Sequence, residues 1–224
     1  MQDAKTEALA NLLRRKFGLP IKRILVVGCG SGTEASMLQK LLAADVVGID
    51  IDSGFEVALT PGLDLRVGDA RDLQFDAGSF DLVYSYHVLE HVPDYERALA
   101  EMRRVLSKGG HFCIGTPNRS RVVGYLGSKD ATLMDKISWN RADWKARLRG
   151  RFRNEYGAHA GFTKGELQSA LEAAFGSAQD VSLDYYREVY SRHRHLINGI
   201  AASGLSRWVF PALYFVGPKE GTAL

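Results

Sequence analysis

Residues 24–32 read "ILVVGCGSG", an apolar run that ends in three alternating glycines. A run of this kind is typical of a strand buried on both faces of a parallel sheet. Glycines directly after the strand allow a tight turn and let the backbone approach a ligand where a Cβ would clash. A dinucleotide-binding fingerprint would place its third glycine at position 33, where this chain has Thr33. The segment therefore predicts a strand, a ligand-binding glycine loop and a helix, with a ligand other than a dinucleotide.

The pattern around this segment alternates between strands and helices. Strands are predicted over residues 24–27, 46–49, 65–67, 80–84, 111–115, 181–183 and 208–216. Helices are predicted over residues 4–16, 34–42 and 95–106, and after Thr163, where Glu166 completes a capping box. This alternation predicts an α/β protein with a parallel sheet flanked by helices. Right-handed crossovers then bring the carboxyl ends of the strands, and with them the functional site, to one edge.

Two aspartates end neighbouring predicted strands. Asp50 lies about 20 residues beyond the glycine loop, where a carboxylate can accept hydrogen bonds from both hydroxyls of an unphosphorylated ribose. Asp69 ends the next strand and would face the same edge, within reach of a donor such as an adenine amino group. Either aspartate alone could be a helix cap or a solvated turn residue. Their order along the chain favours a nucleoside-binding site.

Four segments carry a resemblance to a known family. They read "ILVVGCGSG", "VVGIDID", "VGDARDL" and "FDLVYSYHVLEHVPDYERALAEMRRVLSKGGHFCIGTPN", and together they span residues 24–118. In this order they resemble the class I S-adenosylmethionine-dependent methyltransferases, in particular the methyltransferase type 11 or ubiquinone-biosynthesis-like group. The resemblance implies a Rossmann-like, doubly wound, mostly parallel seven-stranded sheet with helices on both faces. It also implies a helical, basic insertion after the fifth strand.

The resemblance further implies the cofactor, S-adenosyl-L-methionine, and its product, S-adenosyl-L-homocysteine. The methionine part would contact the glycine loop and the end of the fourth strand. The ribose would contact Asp50, and the adenine would contact the neighbouring strand ends. The implied cofactor-binding residues are Gly28, Cys29, Gly30, Asp50, Ile51, Asp69, Ala70, Tyr86 and His87. Two features depart from the family pattern. Val26 stands where many relatives have an acidic residue that contacts the methionine amino group, and the short segment 53–63 predicts an abbreviated second helix.

The segment "HVLEH", residues 87–91, matches the H-x-x-E-H signature of one class of zinc peptidases. That signature needs a long helix to direct both imidazoles to one ion. Here His87 follows a buried strand almost at once, and Pro93 disfavours helix at Val92. The segment therefore predicts about one turn and no metal site. Its histidines are expected either to pack beside the cofactor or to take part in proton transfer.

Methyl transfer from a sulfonium depends mainly on holding the nucleophile, the carbon and the sulfur in line. A general base is needed only when the acceptor must lose a proton, as an alcohol or a phenol must. The candidate catalytic residues are His87, His91 and His159, because a neutral imidazole can accept a proton near pH 7. His159 could instead make a structural hydrogen bond.

The composition predicts a single domain over residues 1–224, with an N-terminal helix within residues 1–20 and a substrate-lid insertion over residues 119–160. No signal peptide and no run of roughly 20 apolar residues is evident, so a soluble, cytoplasmic protein is expected. Cys29 and Cys113 lie in strand-like surroundings and are expected to be buried free thiols. The net charge of +3 does not favour a nucleic-acid binder.

The insertion combines cations with aromatic side chains. The cations are Lys136, Arg141, Lys145, Arg147, Arg149, Arg151 and Arg153, and the aromatics are Trp139, Trp144 and Phe152. Three interpretations are open. The segment could be a solvated helix whose aromatics pack on the domain, a lid whose cations meet an anionic acceptor, or a surface for RNA or a membrane.

Three functions follow from these observations. The first is a small-molecule methyltransferase, most often acting on oxygen, with an anionic or amphipathic acceptor and with peripheral membrane contact as an option. The second is a methyltransferase of RNA or another macromolecule, which should show an added binding domain or an Asn-Pro-Pro-Tyr motif where this chain has Ser85-Tyr86-His87-Val88. The third, a cofactor-binding module without catalysis, is disfavoured by the intact glycine loop and aspartates. The sequence determines neither the acceptor atom nor the oligomeric state.

Overall fold

The computed structural model describes residues 2–18, 20–125, 131–156 and 159–220. These residues contain a seven-stranded sheet with the strand order β3-β2-β1-β4-β5-β7-β6. The strands are β1 (Arg23–Val27), β2 (Asp45–Asp50), β3 (Leu63–Val67), β4 (Phe80–Tyr86), β5 (Leu106–Pro117), β6 (Gln179–Asp180) and β7 (Ala212–Pro218). β7 runs antiparallel to β5 and β6, and the remaining neighbours pair in parallel. This confirms the predicted Rossmann-like, mostly parallel sheet.

Helices cover both faces of the sheet. They are α1 (Gln2–Phe17), α2 (Thr33–Leu42), α3 (Tyr95–Val105), α4 (Leu133–Leu148), α5 (Lys164–Phe175), α6 (Ser182–Val189), α7 (Arg194–Ala202) and α8 (Ser206–Val209). Alternate residues of β1 enter two separate cores, Ile24 and Val26 with α1, α2, α6 and α7, and Leu25 and Val27 with α3 and α5. Within the part of the chain that the structure describes, no helix combines the length and apolar character that a membrane crossing requires.

The C-terminal part differs from the sequence prediction. The strand predicted over residues 181–183 is wrong, because β6 stops at Asp180 and Ser182 begins α6. The Asp180 carboxylate accepts a hydrogen bond from the Ser182 N–H (2.9 Å), which directs the chain into this helix. The strand predicted from residue 208 begins only at Ala212, since Trp208 lies in α8 and Pro211 has no N–H for a sheet ladder.

Connections near the carboxyl edge also differ in detail. The abbreviated second helix is absent, and residues 51–62 form turns and extended chain between β2 and β3. β5 does not start after a glycine turn but runs through Gly109, with a register shift against β4 between Phe80 and Leu82. The predicted capping box at Thr163 and Glu166 is confirmed at the start of α5.

Candidate active site

A cleft of about 480 Å³ opens at the carboxyl ends of β1, β2, β3 and β4. Most of the predicted site residues line it, and they come from four separate loops. These residues are Gly28, Gly30, Asp50, Ile51, Asp69, Ala70, Tyr86, His87 and His91. Two predicted residues, Cys29 and His159, are not part of its wall. The parallel sheet thus brings together residues that are up to about 60 positions apart in sequence.

The glycine loop packs tightly against the turn that carries "HVLEH". Gly28 has a φ of +76°, and a Cβ there would lie 2.0 Å from Cγ2 of Val88. Any larger residue would therefore displace this turn. At Gly30 the corresponding space is open, and the Gly30 N–H donates to Oδ2 of Asp50 (2.7 Å). The loop thus offers the cleft bare backbone, which suits close approach of a cofactor.

Cys29 lies behind this loop. It is 7% exposed, and burial together with the nearby charge of Asp50 raises the pKa of its thiol to about 11. A thiol with so high a pKa is a poor nucleophile at neutral pH. Cys113 is likewise buried and free, as predicted. Both cysteines therefore act as small packing residues.

The end of the cleft beyond Asp50 carries an ion pair that the sequence prediction missed. Asp69 accepts from the Arg71 guanidinium, with Nη2 to Oδ2 at 2.6 Å, and from the Arg71 backbone N–H (2.8 Å). These bonds lower the pKa of Asp69 to about 2. Ile51 is 66% exposed and Ala70 is buried, and both line the same end. This end therefore offers one apolar surface and one fixed carboxylate.

His87 and Glu90 form a close pair at the other end of the cleft. Glu90 lies in a short 3₁₀ turn, Leu89–His91, and its side chain is fully buried. Within the described residues neither of its oxygens makes a hydrogen bond, but Oε1 lies 3.2 Å from Nδ1 of His87. A buried carboxylate requires a partner, and the Nδ1 side of the His87 imidazole is the group that faces it at this distance. Nε2 is then the nitrogen left for a ligand.

The backbone of His87 is strained in a way that fits a functional position. Its φ is +59°, which non-glycine residues adopt rarely, and its N–H donates to the Gly115 carbonyl (3.1 Å). Its ring lies 4.1 Å from the ring of Tyr86, which in turn stacks on Tyr214 at 5.2 Å. The imidazole remains 42% exposed. The strained turn therefore presents His87 to the cleft.

The other two histidines pack on each other. The rings of His91 and His159 are 4.8 Å apart, and Nε2 of His91 lies 3.9 Å from Oε1 of Glu90. Burial and the positive charge of His91 lower the pKa of His159. The His159 carbonyl accepts a hydrogen bond from Arg121 (3.0 Å). His159 thus lies behind His91 rather than in the cleft wall.

Glu34, in the first turn of α2, is a second acidic residue that the sequence prediction missed. Its Oε1 accepts from the Tyr84 hydroxyl (3.1 Å), and burial raises the pKa of its carboxyl, while Lys5 and His87 act electrostatically in the opposite direction. Val26, which occupies the usual acidic position, is buried in the core. Glu34 therefore provides a partly buried acidic group on the helix, where the strand has none.

The insertion is joined to the rest of the domain near its start, where Arg119 pairs with Glu166 (2.9 Å) and the Val122 N–H donates to the Trp208 carbonyl (2.8 Å). Within the insertion, Arg147 of α4 donates to the carbonyls of Arg119 and Arg121, each at 2.8 Å, and its guanidinium lies 3.8 Å from the centre of the buried Phe152 ring. Burial lowers the pKa of Arg147. None of the residues of α4 is fully buried, and the Trp144 indole N–H donates to the Val122 carbonyl (2.7 Å).

Similarity to known proteins agrees with this geometry. Residues 25–114 match the family model described as a methyltransferase domain. The match covers less than half of the chain and, together with the relatives below, supports a class I S-adenosylmethionine-dependent methyltransferase. S-adenosylmethionine is the cofactor of these methyltransferases. The cleft fits that cofactor, because the glycine loop leaves open space at Gly30 beside the Asp50 carboxylate.

Relatives of this methyltransferase differ in their acceptors. It is 37% identical to the phthiotriol/phenolphthiotriol dimycocerosates methyltransferase of Mycobacterium leprae (strain TN), over 54% of this chain and 48% of that protein. It is 33% identical to the chloroplastic tocopherol O-methyltransferase of Arabidopsis thaliana, over 52% of this chain and 37% of that protein. The chain therefore spans about half the length, or less, of these curated relatives.

Solved methyltransferase structures share the fold at lower identity. Phosphoethanolamine N-methyltransferase 2 of Haemonchus contortus, solved with S-adenosylmethionine, superposes with a TM-score of 0.57 at 18% identity. The superposition covers 96% of this chain and 52% of that one. It confirms the Rossmann-like architecture of this methyltransferase.

Proposed function

We propose that the protein transfers the methyl group of S-adenosylmethionine to a hydroxyl oxygen of an amphipathic small molecule. The observation that carries this proposal is the pair of His87 and Glu90, a buried carboxylate that orients an exposed imidazole at the wall of the cofactor cleft. A base held by a second group is the arrangement that activates a weak nucleophile. Amines and thiolates have less need of such a base at neutral pH.

Each end of the cleft has a role in holding the cofactor. Asp50 accepts from the ribose hydroxyls, and its bond to the Gly30 N–H ties the ribose position to the glycine loop. Ile51 packs on the adenine face, and Asp69, fixed by Arg71, accepts from the adenine amine. When bound, S-adenosylmethionine supplies a methyl group on a positively charged sulfur, which needs no further activation.

Glu34 replaces the acidic residue that relatives have at the position of Val26. Its carboxylate attracts the ammonium group of the cofactor from behind the glycine loop, at the N-terminal turn of α2. The support for this role is its electrostatic interaction with His87, which lines the cleft. Without this carboxylate the methionine end would have bare backbone dipoles alone.

His87 moves the proton of the reaction. Nε2 of His87 would take the proton that the acceptor hydroxyl loses as its oxygen is methylated, and S-adenosylmethionine held in the cleft would supply the methyl group from its sulfonium. Glu90 stabilises the imidazolium that results, because its carboxylate lies 3.2 Å from Nδ1. S-adenosylhomocysteine is the second product, and the imidazolium then loses its proton to water.

The acceptor proposed is amphipathic rather than anionic. The curated relatives include a lipid methyltransferase and an O-methyltransferase acting on tocopherol. Among the cations of the insertion, Arg147 donates to backbone carbonyls and lies against the Phe152 ring. Arg153 lines a cavity of about 720 Å³ whose wall also contains Glu155 and Glu166. An anionic acceptor would meet these acids. The insertion reaches the cleft wall where His159 packs on His91, and it acts as a lid over the acceptor.

The experiment that tests the function uses S-adenosylmethionine labelled in its methyl group. The full chain is incubated with the labelled cofactor and, separately, with lipid and polar extracts, and the labelled products are identified by mass spectrometry. Labelled methyl ethers should form from the lipid extract, and His87→Gln should reduce them at least a hundredfold. Labelled products confined to amines, or formed equally by His87→Gln, would contradict the proposal.

A cytoplasmic location and the absence of a nucleic-acid partner stay predictions.

A further inference from the structure

A second cavity, of about 310 Å³, shares one wall residue, Tyr86, with the cofactor cleft. It lies between α1, α6, α7 and the start of β7. We name it the tyrosine pocket, and its defining residues are Tyr86, Tyr185, Tyr190, Ile197, Phe210 and Tyr214. Nothing in the cofactor-binding role described above uses this pocket.

The walls of the tyrosine pocket are apolar despite its many hydroxyl groups. The Tyr186 hydroxyl is engaged by the backbone of Ala212, donating to its carbonyl (3.3 Å) and accepting from its N–H (3.0 Å). The hydroxyls of Tyr86 and Tyr185 interact with that of Tyr214. Burial raises the pKa of each of these phenols, so they remain uncharged at neutral pH. The pocket therefore presents mainly ring faces and aliphatic carbons.

Charged groups are scarce along this wall. Of the lining residues, Lys5 and His193 can carry a positive charge, and none is acidic. Lys5 lies within electrostatic reach of the Glu34 carboxylate, and His193 is exposed to solvent. The remaining lining residues are apolar or aromatic, so an uncharged apolar group would gain from burial, whereas an anion would lose its hydration there.

The pocket has an open end and an inner end. Four of its lining residues are exposed and mark the opening: His193, Tyr190 at 41%, Leu196 at 56% and Val209 at 36%. The inner end is Tyr86, whose ring lies 4.1 Å from the imidazole of His87. A molecule that fills the pocket from its opening thus reaches the Tyr86 ring, which lies next to the proposed base.

We propose that the tyrosine pocket binds the apolar body of the methyl acceptor, which is an uncharged molecule with a ring or chain and a terminal hydroxyl. The hydroxyl lies at the Tyr86 end, where His87 can take its proton, and any longer tail leaves past Leu196. A volume of about 310 Å³ holds a ring system with a few additional carbons, so a lipid-sized acceptor must extend through the opening. This assignment rests on the proposed methyl transfer and specifies its substrate class.

The test begins with binding of a defined probe, 4-octylphenol, to the full chain saturated with S-adenosylhomocysteine. Leu196→Asp places a charge at the opening, and Ile200→Trp fills the pocket from α7. The matched control is Leu205→Asp, because Leu205 is 51% exposed, similar to Leu196, but does not line the pocket. Both pocket variants should weaken 4-octylphenol binding at least tenfold, and the control should leave it unchanged. All three variants should bind S-adenosylhomocysteine as the wild type does.

Two further arms test the chemistry and the placement. The carboxylate analogue 4-octylbenzoate should bind at least tenfold more weakly than the phenol, because its charge would have to leave water for walls that are mainly ring faces and aliphatic carbons. In the complex with S-adenosylmethionine carrying a ¹³C-labelled methyl group, that methyl should show a nuclear Overhauser contact to the aromatic ring of 4-octylphenol. Methylation of the probe during the experiment would establish the same proximity.

The outcomes distinguish a failure of the acceptor-pocket proposal from a failure of the proposed methyltransferase function. If wild-type protein binds S-adenosylhomocysteine but not 4-octylphenol, or if both pocket variants bind the probe normally, the acceptor pocket is wrong and the methyltransferase function stands. If the probe occupies the pocket without contact to the labelled methyl group, the acceptor role is likewise wrong. If S-adenosylhomocysteine itself does not bind, the proposed function fails, and the acceptor assignment fails with it.

Discussion

At the scale of single residues, the carboxylate of Glu34 determines how cofactor binding depends on pH. Burial raises the pKa of Glu34 in the free protein, and an ammonium bound nearby would bring this pKa back down. The ligand therefore prefers the ionised carboxylate, and its affinity should fall as the pH drops through the raised pKa, above the ordinary glutamate value. Calorimetry with S-adenosylhomocysteine between pH 5 and 7, where the ligand's ammonium stays charged, measures this dependence.

Glu34→Gln is the control for that dependence. It should weaken binding at pH 7 by about two- to tenfold, since a single charge at some distance is lost, and it should flatten the pH profile. A profile that keeps its slope in Glu34→Gln would assign the proton to another group.

Substitutions of His87 and Glu90 should have different effects on the kinetics. His87→Gln removes the proton acceptor and should lower kcat by a factor of about 10²–10⁴, with S-adenosylhomocysteine affinity nearly unchanged. Glu90→Gln keeps the base but removes the carboxylate beside its Nδ1, so it should lower kcat by less than His87→Gln does. If Glu90→Gln left kcat unchanged, Glu90 would serve packing rather than orientation of the base.

At the scale of elements, the insertion divides into an anchored and an exposed part. Arg147 is fixed by two carbonyls and by Phe152, whereas Arg149, two residues later, is exposed. Arg147→Ala should reduce the free energy of unfolding by roughly 1–3 kcal/mol, because hydrogen bonds and a ring contact are lost. Arg149→Ala should change it by less than about 0.5 kcal/mol. Urea denaturation compares the two, and equal losses would contradict the anchoring role.

The elements also show where the sequence was informative. The apolar run at residues 24–27 and the capping box at Thr163 specify β1 and α5 locally, so both could be predicted. The turn "HVLEH" could be predicted because Pro93 restricts the residue before it. The helix α4 has a signal that was overlooked, the capping box of Thr132 and Asp135.

Other features depend on tertiary contacts and carry no local signal. β6 is only two residues long and exists through pairing with β7, and α6 follows it because Tyr185 and Tyr186 are buried against the sheet. The pairing of Asp69 with Arg71 could have been suspected from their spacing. The role of Glu34 could not, because its proximity to Tyr84 arises only when α2 packs on β4.

At the scale of the whole molecule, two cavities have the wall residue Tyr86 in common. Four parallel strands end at the cofactor cleft, and the C-terminal helices α6 and α7 enclose the tyrosine pocket against β7. Tyr86, at the end of β4, lines both, and His87 follows it directly. The proposed methyl transfer thus uses adjoining parts of the fold: the cofactor cleft, the proposed base and the proposed acceptor pocket.

The central claim is that the cleft binds S-adenosylmethionine, and isothermal titration calorimetry of the full chain tests it most directly. S-adenosylmethionine and S-adenosylhomocysteine should each bind with one site per chain, and NAD should give no binding heat. Asp50→Ala should weaken S-adenosylhomocysteine by roughly 5- to 150-fold, about 1–3 kcal/mol, while the neighbouring charge change Asp52→Ala should have little effect. Binding of NAD with no response to S-adenosylhomocysteine, or unchanged affinity in Asp50→Ala, would contradict the account.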